Sequence, residues 1–492
     1  MGINESLVCG KSALKKFIDR TTMYRLMLYY LLVLFVVALF FSFSVSLLWS
    51  AVVLLVASWL SNTFFARMFR AVTNLESVFI TALILALIMT PVMFTDFVGS
   101  VNLALVAIFA SASKYIIAIG GKHIFNPVAF AVALSAFFLG MPATWWVAGN
   151  PALMPFILIG GLIVVYKLRR FDLILAFSIS ALVVVALTSK NPIAGIEATL
   201  LYSVLLFFGF VMLTEPLTTP PTRSLRVAYG VLIGVLFIQA PHIGSFYFSP
   251  EIALITGNLF SYIVSPKGRY LFSLVERRIL ADCIYEFIFR SDRKLIYKSG
   301  QYLEWTLGNV SLDNRGNRRF FTISSAPEDE TLALTTRIPD KSSAFKHTLS
   351  NLQIGATISA SSLAGDFVMP KDTKKKLAFL AGGIGVTPFV SMARHCIKTG
   401  ENRDAILLYS SKAEKEVAYR NIFTSASRNG WRTFYQIGVI DAELIKKEIT
   451  DYAERLFYIS GPPSMVDAMK KMLIGLGISR FSIKTDFFSG LA

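Results

Sequence analysis

The feature that most restricts this chain is a series of long apolar runs that recur, with only short polar breaks, up to about residue 265. A run of roughly 20 apolar residues crosses a hydrocarbon layer as a helix, the form in which every backbone group pairs within its own segment. Ten runs of this kind are read, near 26–42, 45–65, 77–94, 98–118, 127–141, 152–167, 171–188, 197–214, 225–240 and 249–264, the first two adjoining through "FFSFSVS". Beyond "IVSPKGRYLF" the chain changes character: charge becomes dense and the apolar runs shrink to strand length. The overall 54% hydrophobic and 16% charged residues therefore average two unlike halves. The expected organisation is an N-terminal segment (1–25), a polytopic helical membrane domain (26–266) and two water-facing domains (270–372 and 373–492).

Loop charges orient the apolar half. Lys11, Lys15, Lys16, Arg20 and Arg25 precede the first run. Alternate loops then carry Arg67 and Arg70; Lys114 and Lys122; Lys167, Arg169 and Arg170; Arg223 and Arg226; and Lys267 with Arg269 follows the last run. The intervening loops hold only Lys190 as a basic residue. Basic residues stay on the cytoplasmic side, so both termini and the water-facing half are expected there, in a bacterial inner membrane. "KSALKKFIDRTTMYR" precedes a run too long for the core of a cleavable signal. The net charge of +17 is explained by these loops together with a preference for phosphate or headgroups, and no nucleic-acid partner is expected. Cys9, Cys283 and Cys396 are scattered and form no C-x-x-C, so no iron–sulfur or zinc ligand set, and no metal, is expected.

The second half divides by periodicity. From about 272 to 370, short alternating runs such as "CIYEFIFRS", "QYLEWTL", "FFTISSA", "TLALTTRI" and "ATISASS" are separated by turn residues, which suggests a small antiparallel β-barrel. From about 376, strand-like runs alternate with helical ones, the pattern of a doubly wound parallel α/β domain. Such a sheet binds ligands beyond the carboxyl ends of its strands. There lies "GGIGVTP", where Gly382, Gly383 and Gly385 let a ligand approach the backbone and Pro388 suits the first turn of a helix whose N-terminus attracts phosphate. In "GNRRFFTISSAP", Arg319 and Phe321 fall on one face of a strand and Thr322 follows. Here a guanidinium for pyrophosphate, an aromatic ring for a flavin and a hydroxyl for its nitrogens stand together. "DKSSAF" adds Ser343, and "AGDF" adds Gly365 and Phe367.

Together these pieces resemble the ferredoxin–NADP reductase superfamily over residues 270–492. The R-x-[aromatic]-S/T motif matches Arg319, Phe321 and Thr322, and G-G-x-G-x-T-P matches Gly382 to Pro388. The late C-G-P motif matches Ser460, Gly461 and Pro462 with serine for cysteine. The terminal E-x-F-x-G-Y matches "DFFSGL" with Asp486 for Glu and Leu491 for Tyr. The resemblance implies FAD as cofactor and NAD(P)H as substrate. Arg319, Phe321, Ser343, Gly365 and Phe367 would be on the flavin side, with Thr322 near its reactive nitrogen. Gly382, Gly383, Gly385, Thr387, Pro388, Gly461 and Pro462 would be on the nucleotide side, and Thr322, Ser460 and Asp486 in catalytic roles.

Two loops of the apolar half also stand out: "GGKHIFNPVAF" (120–130) and "TEPLTTPPTRS" (214–224), each combining proline with polar side chains beside apolar helices. Read from residue types alone, they are ordinary helix-ending turns or cavity-lining backbone. With "YGVLIG" they resemble the NqrB/RnfD family, membrane components of the sodium-translocating NADH:quinone reductase and of the Rnf complex. That resemblance implies ten spans and a flavin bound in the membrane, with His123, Asn126 and Thr218 as cofactor-binding candidates. Its covalent flavin threonine lies in an S-x-A-T-like motif. Only Ala143 and Thr144 remain of it in "GMPATWWVAGNP", and "EAT" at 197–199 is another fragment, so a non-covalent FMN or riboflavin is the expectation.

A haem-type transmembrane reductase needs paired axial histidines within helices. Only His123 and His242 of the four histidines lie in the apolar half, on opposite expected sides, which excludes it. The expected function is an NAD(P)H-oxidising membrane flavoprotein passing electrons to a quinone, a membrane flavin or a redox protein. The alternatives are an ion or flavin transporter with an appended regulatory reductase, and a docking module of a larger complex. Ser410, Ser411, Lys412 and Lys415 stand where a 2′-phosphate would lie and leave NADH and NADPH both open.

Overall fold

The computed structural model describes residues 17–18, 21–41, 44–69, 74–119, 122–239, 242–243, 246–247, 249–265, 269–308 and 318–486. Lys11, Lys15, Lys16, Arg20, Arg70, Lys267, Gly120 and Phe487 to Leu491 lie outside the described residues, as do the side chains of Lys122 and His242. The chain divides into two compact units at Lys267/Gly268.

The first unit is helical: α1 Met23–Phe41, α2 Val45–Met68, α3 Leu75–Ile88, α4 Phe97–Ile116, α5 Pro127–Phe138, α6 Met154–Leu168, α7 Phe171–Thr188, α8 Pro192–Tyr202, α9 Leu205–Met212, α10 Arg223–Gln239 and α11 Pro250–Val264. Starts are set by side-chain caps, with Asn74, Asp96, Asn126 and Asn191 accepting from first-turn amides, and by proline at the first turn of α5, α8 and α11. Among the described residues, four helices (α1, α2, α4 and α7) are long and apolar enough to cross a membrane. The pair α8 and α9, bent by 59°, makes a fifth if counted as one span. The sequence expectation of ten full spans thus meets several helices too short to stand as spans by length alone: α3, α5, α6 and α11 have 14, 12, 15 and 15 residues.

The polarity of this unit is inverted. Ser50, Ser58, Ser61, Asn62, Asn126, Asn258 and Glu251 are buried, while Phe40, Phe97, Phe137, Leu187 and Ile193 are each more than 70% exposed. Close helix packing uses small residues. A Cβ on Gly230 would sit 2.8 Å from the Leu173 carbonyl oxygen and one on Gly234 2.5 Å from that of Phe177, so α10 lies backbone against backbone on α7.

The second unit opens with a six-stranded antiparallel sheet: β1 Tyr270–Ala281, β2 Ile284–Ser291, β3 Tyr302–Thr306, β4 Arg318–Thr322, β5 Leu332–Arg337 and β6 Thr357–Ala364, in the order β4-β3-β6-β1-β2-β5. Its two edge strands meet through the bridge of Ile323 to Leu334. Phe272, Phe287, Phe289, Leu303 and Trp305 fill its core, and α12 (Ala344–Ser350) follows β5. Then β7 (Leu377–Gly382), α13 (Thr387–Thr399), β8 (Ala405–Ser411), α14 (Arg420–Ala426), β9 (Trp431–Ile437), α15 (Ala442–Glu448), β10 (Leu456–Ser460), α16 (Pro463–Gly475) and β11 (Ile483–Thr485) form a five-stranded parallel sheet with helices between its strands. Its order is β9-β8-β7-β10-β11, and β7 is buried throughout, as a central parallel strand should be. Strand order reverses between β7 and β10, which defines the crevice where such a sheet takes a ligand.

Candidate functional site

Both glycine turns lie at that reversal. β7 ends in Gly382, a short 3-10 turn spans Gly383–Val386, and α13 starts at Thr387 with Pro388 in its first turn. β10 ends in Ser460 and leads through Gly461 and Pro462 into α16. A Cβ on Gly385 would lie 2.5 Å from the Ser460 carbonyl oxygen and 2.6 Å from Gly461, and one on Gly382 would strike the Met465 sulfur. The two turns are therefore bare backbone held against bare backbone. Gly383, by contrast, has φ +51° and nothing within 4 Å of where a Cβ would stand, so it faces open space in a conformation glycine favours. Its neighbourhood is the cradle a phosphate would fill.

β11 pairs beside β10 and places Asp486 next to the second turn: its amide donates to the Ile459 carbonyl at 2.9 Å, and the Ser460 hydroxyl donates to its Oδ2 at 3.1 Å. Two of the three expected catalytic residues thus meet, 26 residues apart in sequence. Thr387 is buried with its hydroxyl turned back to the Ile384 carbonyl, so its side chain is not directed at the open side of the turn.

The flavin-side candidates are on the antiparallel sheet. Arg319 and Phe321, two residues apart on β4, both address Phe345 at the start of α12, the guanidinium 5.5 Å from its ring centre and the Phe321 ring 5.8 Å from it. Ser343 caps α12, accepting from the Lys346 amide at 3.4 Å. Thr322 ends β4 opposite Tyr302 and is buried. Gly365, with φ +122°, brings its backbone against the Tyr302 ring. Phe367 is placed differently: it is 5% exposed between the rings of Phe389 and Tyr458, in the core beneath the parallel sheet, and acts there as packing. Beside it, burial lowers the Lys484 ammonium below the usual lysine range, and its Nζ donates to the Val368 carbonyl and the Tyr458 hydroxyl.

Beyond β8, the 2′-phosphate candidates are partly consumed. Ser410 donates to the Gly438 carbonyl, Ser411 to that of Ala413, and Lys415 pairs with Asp282 at 2.9 Å, leaving Lys412 exposed on this turn.

In the helical unit the two singled-out loops touch. His123 Nε2 is 2.9 Å from Glu215 Oε1, and the Thr218 hydroxyl donates to Glu215 Oε2 at 3.3 Å. Asn126 does more than cap α5: its amide donates to Asn258 at 2.7 Å and its side chain to the Met212 carbonyl at 3.3 Å, while Asn258 donates to the Tyr229 hydroxyl. Met212 ends the π-helical turn Phe208–Met212 of the bent α8–α9 pair. Thr144 and Trp145 clasp the Ile88 carbonyl through their amides at 2.9 Å, which gives Thr144 a structural role. Among the described residues, no cluster of three or more histidines, cysteines or acids suited to a metal occurs.

Sequence reasoning missed the residues that hold α13 to the antiparallel sheet: Glu286, Ser391 and Arg394, with a hydrogen bond from Arg394 to Glu286 at 3.1 Å. The available signal was an arginine interrupting the buried stripe of "TPFVSMARHC".

Comparison with known proteins bears on this second unit. Residues 379–471 match the family of oxidoreductase NAD-binding domains. The flavohemoprotein of Bacillus subtilis is 26% identical over 210 residues, 39% of this chain and 51% of that protein. A glycine betaine monooxygenase reductase subunit of Chromohalobacter salexigens is 27% identical over 210 residues, 38% of this chain and 55% of its own length. The chain thus spans about half the length of these relatives. The flavohem-like FAD/NAD-binding domain of nitric oxide dioxygenase from Vibrio cholerae is 19% identical, covering 44% of this chain and 98% of that domain with a TM-score of 0.40. The C-terminal part of the chain is thus similar to NAD-binding oxidoreductases, and residues 379–471 match their nucleotide-binding domain.

Proposed function

We propose that the chain is a membrane-bound NAD(P)H oxidoreductase that takes electrons from cytoplasmic NAD(P)H at its C-terminal module and delivers them into its helical unit. The observation that carries this reading is the meeting of the Gly383–Val386 turn with the Ser460-Gly461 turn and Asp486 at the sheet's reversal point. Arg319, Phe321, Ser343 and Gly365 would hold FAD, whose bound isoalloxazine supplies the exchange between two-electron and one-electron chemistry. Gly383 admits the nucleotide on the open side of its turn, Gly382, Gly385 and Gly461 let the two turns close together beneath it, and the α13 N-terminus favours its pyrophosphate. Ser460 and Asp486 orient the substrate's reactive end, and the hydrogen bond between them fixes both.

For the helical unit, inverted polarity and four long apolar helices support a bilayer as its surroundings, the basic loops support a cytoplasmic module, and the family resemblance alone adds a bacterial inner membrane. The contact between the His123 and Glu215 loops supports kinship with the NqrB/RnfD family and a non-covalent flavin held near His123, Asn126 and Thr218. The acceptor is then a quinone, that flavin or a further redox protein.

A second reading is a transporter regulated by an appended reductase. The bent α8–α9 pair favours it, because discontinuous helices form binding sites in transporters. One experiment bears on both. The full chain is purified in detergent, titrated anaerobically with NADH and with NADPH, and denatured to release flavin. Two released flavins per chain, both bleached, are expected for the electron-transfer reading. A single bleached flavin removes the membrane flavin and favours a quinone acceptor or the regulated transporter, and no bleaching by either nucleotide removes the oxidoreductase reading.

A further inference from the structure

We propose that Ser391 and Arg394 are positioning residues that set the register between the flavin-side strand and the nucleotide-side helix. The inference rests on the reading of the C-terminal module given above. Both residues lie on one face of α13, three positions apart. The Ser391 hydroxyl donates to the Ser325 carbonyl at 2.6 Å. Arg394 Nη1 donates to the Ser324 carbonyl at 3.0 Å, and both terminal nitrogens of Arg394 donate to Glu286 Oε1 at 3.1 Å.

The places where these bonds land give them their meaning. Ser324 and Ser325 follow Thr322 by two and three residues, and Ser391 follows Thr387 by four. At about 3.3 Å per extended residue and about 1.5 Å per helical residue, the tie falls roughly 10 Å along the chain from Thr322 and roughly 6 Å from Thr387. No flexible segment intervenes on either side: β4 runs directly into the bridge at Ile323, and α13 is continuous from Thr387. A shift of α13 against the sheet would therefore move the nucleotide turn relative to Thr322 by the same amount.

The tie is also over-determined. Glu286 is 1% exposed and receives, besides Arg394, the Tyr419 hydroxyl at 2.9 Å, with Arg278 4.0 Å from its other oxygen. Tyr419 and Thr335 share a hydrogen bond at 2.5 Å, and Thr335 another with Ser324 at 2.8 Å. Arg394 lies over the Tyr419 ring, 5.2 Å from its centre. Apolar side chains would close this junction at lower desolvation cost, whereas bonds with fixed direction select one register.

The test uses the full chain in detergent with Ser391→Ala, Arg394→Lys and, as a change that leaves the Ser324–Ser325 carbonyls bonded, Tyr419→Phe. The first readout is amide hydrogen exchange across 322–326 and 384–394. Exchange is expected to rise about tenfold in both segments together for Ser391→Ala and Arg394→Lys. The second is the limiting rate of flavin reduction and the nucleotide Kd, measured separately by anaerobic stopped flow. The limiting rate is expected to fall by about tenfold or more, since sub-ångström register matters to the reaction, with the Kd within about twofold and Tyr419→Phe close to wild type. An unchanged limiting rate in a variant whose exchange has risen overturns the proposal and leaves the contacts as simple stabilisation. If Arg394→Lys loses flavin, Ser391→Ala, which removes a single hydrogen bond, decides. If wild-type protein is bleached by neither nucleotide, the underlying reading fails, and exchange rising in only one segment would overturn the tie independently.

Discussion

Gly385 and Gly461 approach so closely that a Cβ on Gly385 would lie 2.6 Å from Gly461 atoms and 2.5 Å from the Ser460 carbonyl oxygen. Backbone atoms cannot swing away as a side-chain end can, so Gly385→Ala must part the two turns. It is expected to weaken NAD(P)H binding by at least about tenfold, because the turns jointly form the crevice floor. Gly475→Ala is the matched control. Nothing lies within 4 Å of its Cβ position, at the last residue of α16, so it is expected to leave binding unchanged and stability the same or up to about 1 kcal/mol higher. Nucleotide affinity, read by fluorescence quenching, checks both, and equal affinities for the two variants would contradict the argument.

Ser460 and Asp486 should behave as one unit, since each is the other's hydrogen-bond partner. Ser460→Ala and Asp486→Ala are each expected to slow flavin reduction by about tenfold, or about 1.4 kcal/mol. The double variant is expected to lose little more than either single one, as residues sharing one interaction are not additive. Multiplying losses would show that the two act separately.

The arrangement of the candidate residues is legible in the sequence where it depends on local patterns. A glycine turn between an apolar strand and a helix, as at Gly382 to Pro388, can be read from one stretch of chain, and alternation on β4 places Arg319 and Phe321 on the same face without a structure. Phe367 misleads for the opposite reason: next to Gly365 it looks like a ligand-side aromatic, and only tertiary packing shows it between Phe389 and Tyr458. The contacts between His123 and Glu215, or Arg394 and Glu286, join residues 92 and 108 positions apart and leave no periodic trace. The ten apolar runs also hide the break between α8 and α9, because hydropathy measures composition over a window and is blind to a bend.

Gly230 and Gly234 in "YGVLIG" give the helical unit a stability prediction of its own. Each faces a backbone carbonyl of α7, Leu173 and Phe177 respectively, at a distance no Cβ tolerates. In the proposed membrane setting, where no solvent-driven hydrophobic term acts between helices, such close packing is one of the main sources of attraction. Gly234→Leu is therefore expected to separate α7 from α10 and lower the thermal midpoint in detergent by several degrees, with Gly234→Ala intermediate. Gly209→Ala, whose Cβ would meet Phe177 at an ordinary 3.4 Å, is expected to change it less. An unshifted midpoint in Gly234→Leu would show that the two helices do not depend on this contact.

The parallel sheet carries a pH-dependent term at the bottom of β10. The Arg455 side chain is 1% exposed and spans Asp451 and Asp404, donating as well to the Leu377 and Asp404 carbonyls. Its hydrogen bonds, and that of Lys376, hold the Asp451 carboxyl down to about 2, against an ordinary 3.8. A carboxylate depressed in the folded state adds stability that is fully present above its unfolded pKa and is lost as pH falls through the folded one. The window is therefore from about pH 4 down to about pH 2, and the term is about 2 kcal/mol at neutral pH. Asp451→Asn is expected to lose that amount at pH 6 and to differ little from wild type near pH 2. The opposite substitution, Arg455→Met, leaves Asp451 with Lys376 and Asp404 with Arg432 but strips the buried Leu377 and Asp404 carbonyls of their donor, so it should cost about 1–3 kcal/mol. Hydrogen exchange of β7 and β10 amides, corrected for its intrinsic pH dependence, measures both. A difference between Asp451→Asn and wild type that stayed constant from pH 6 to pH 2 would show that Asp451 acts through shape and not through its charge.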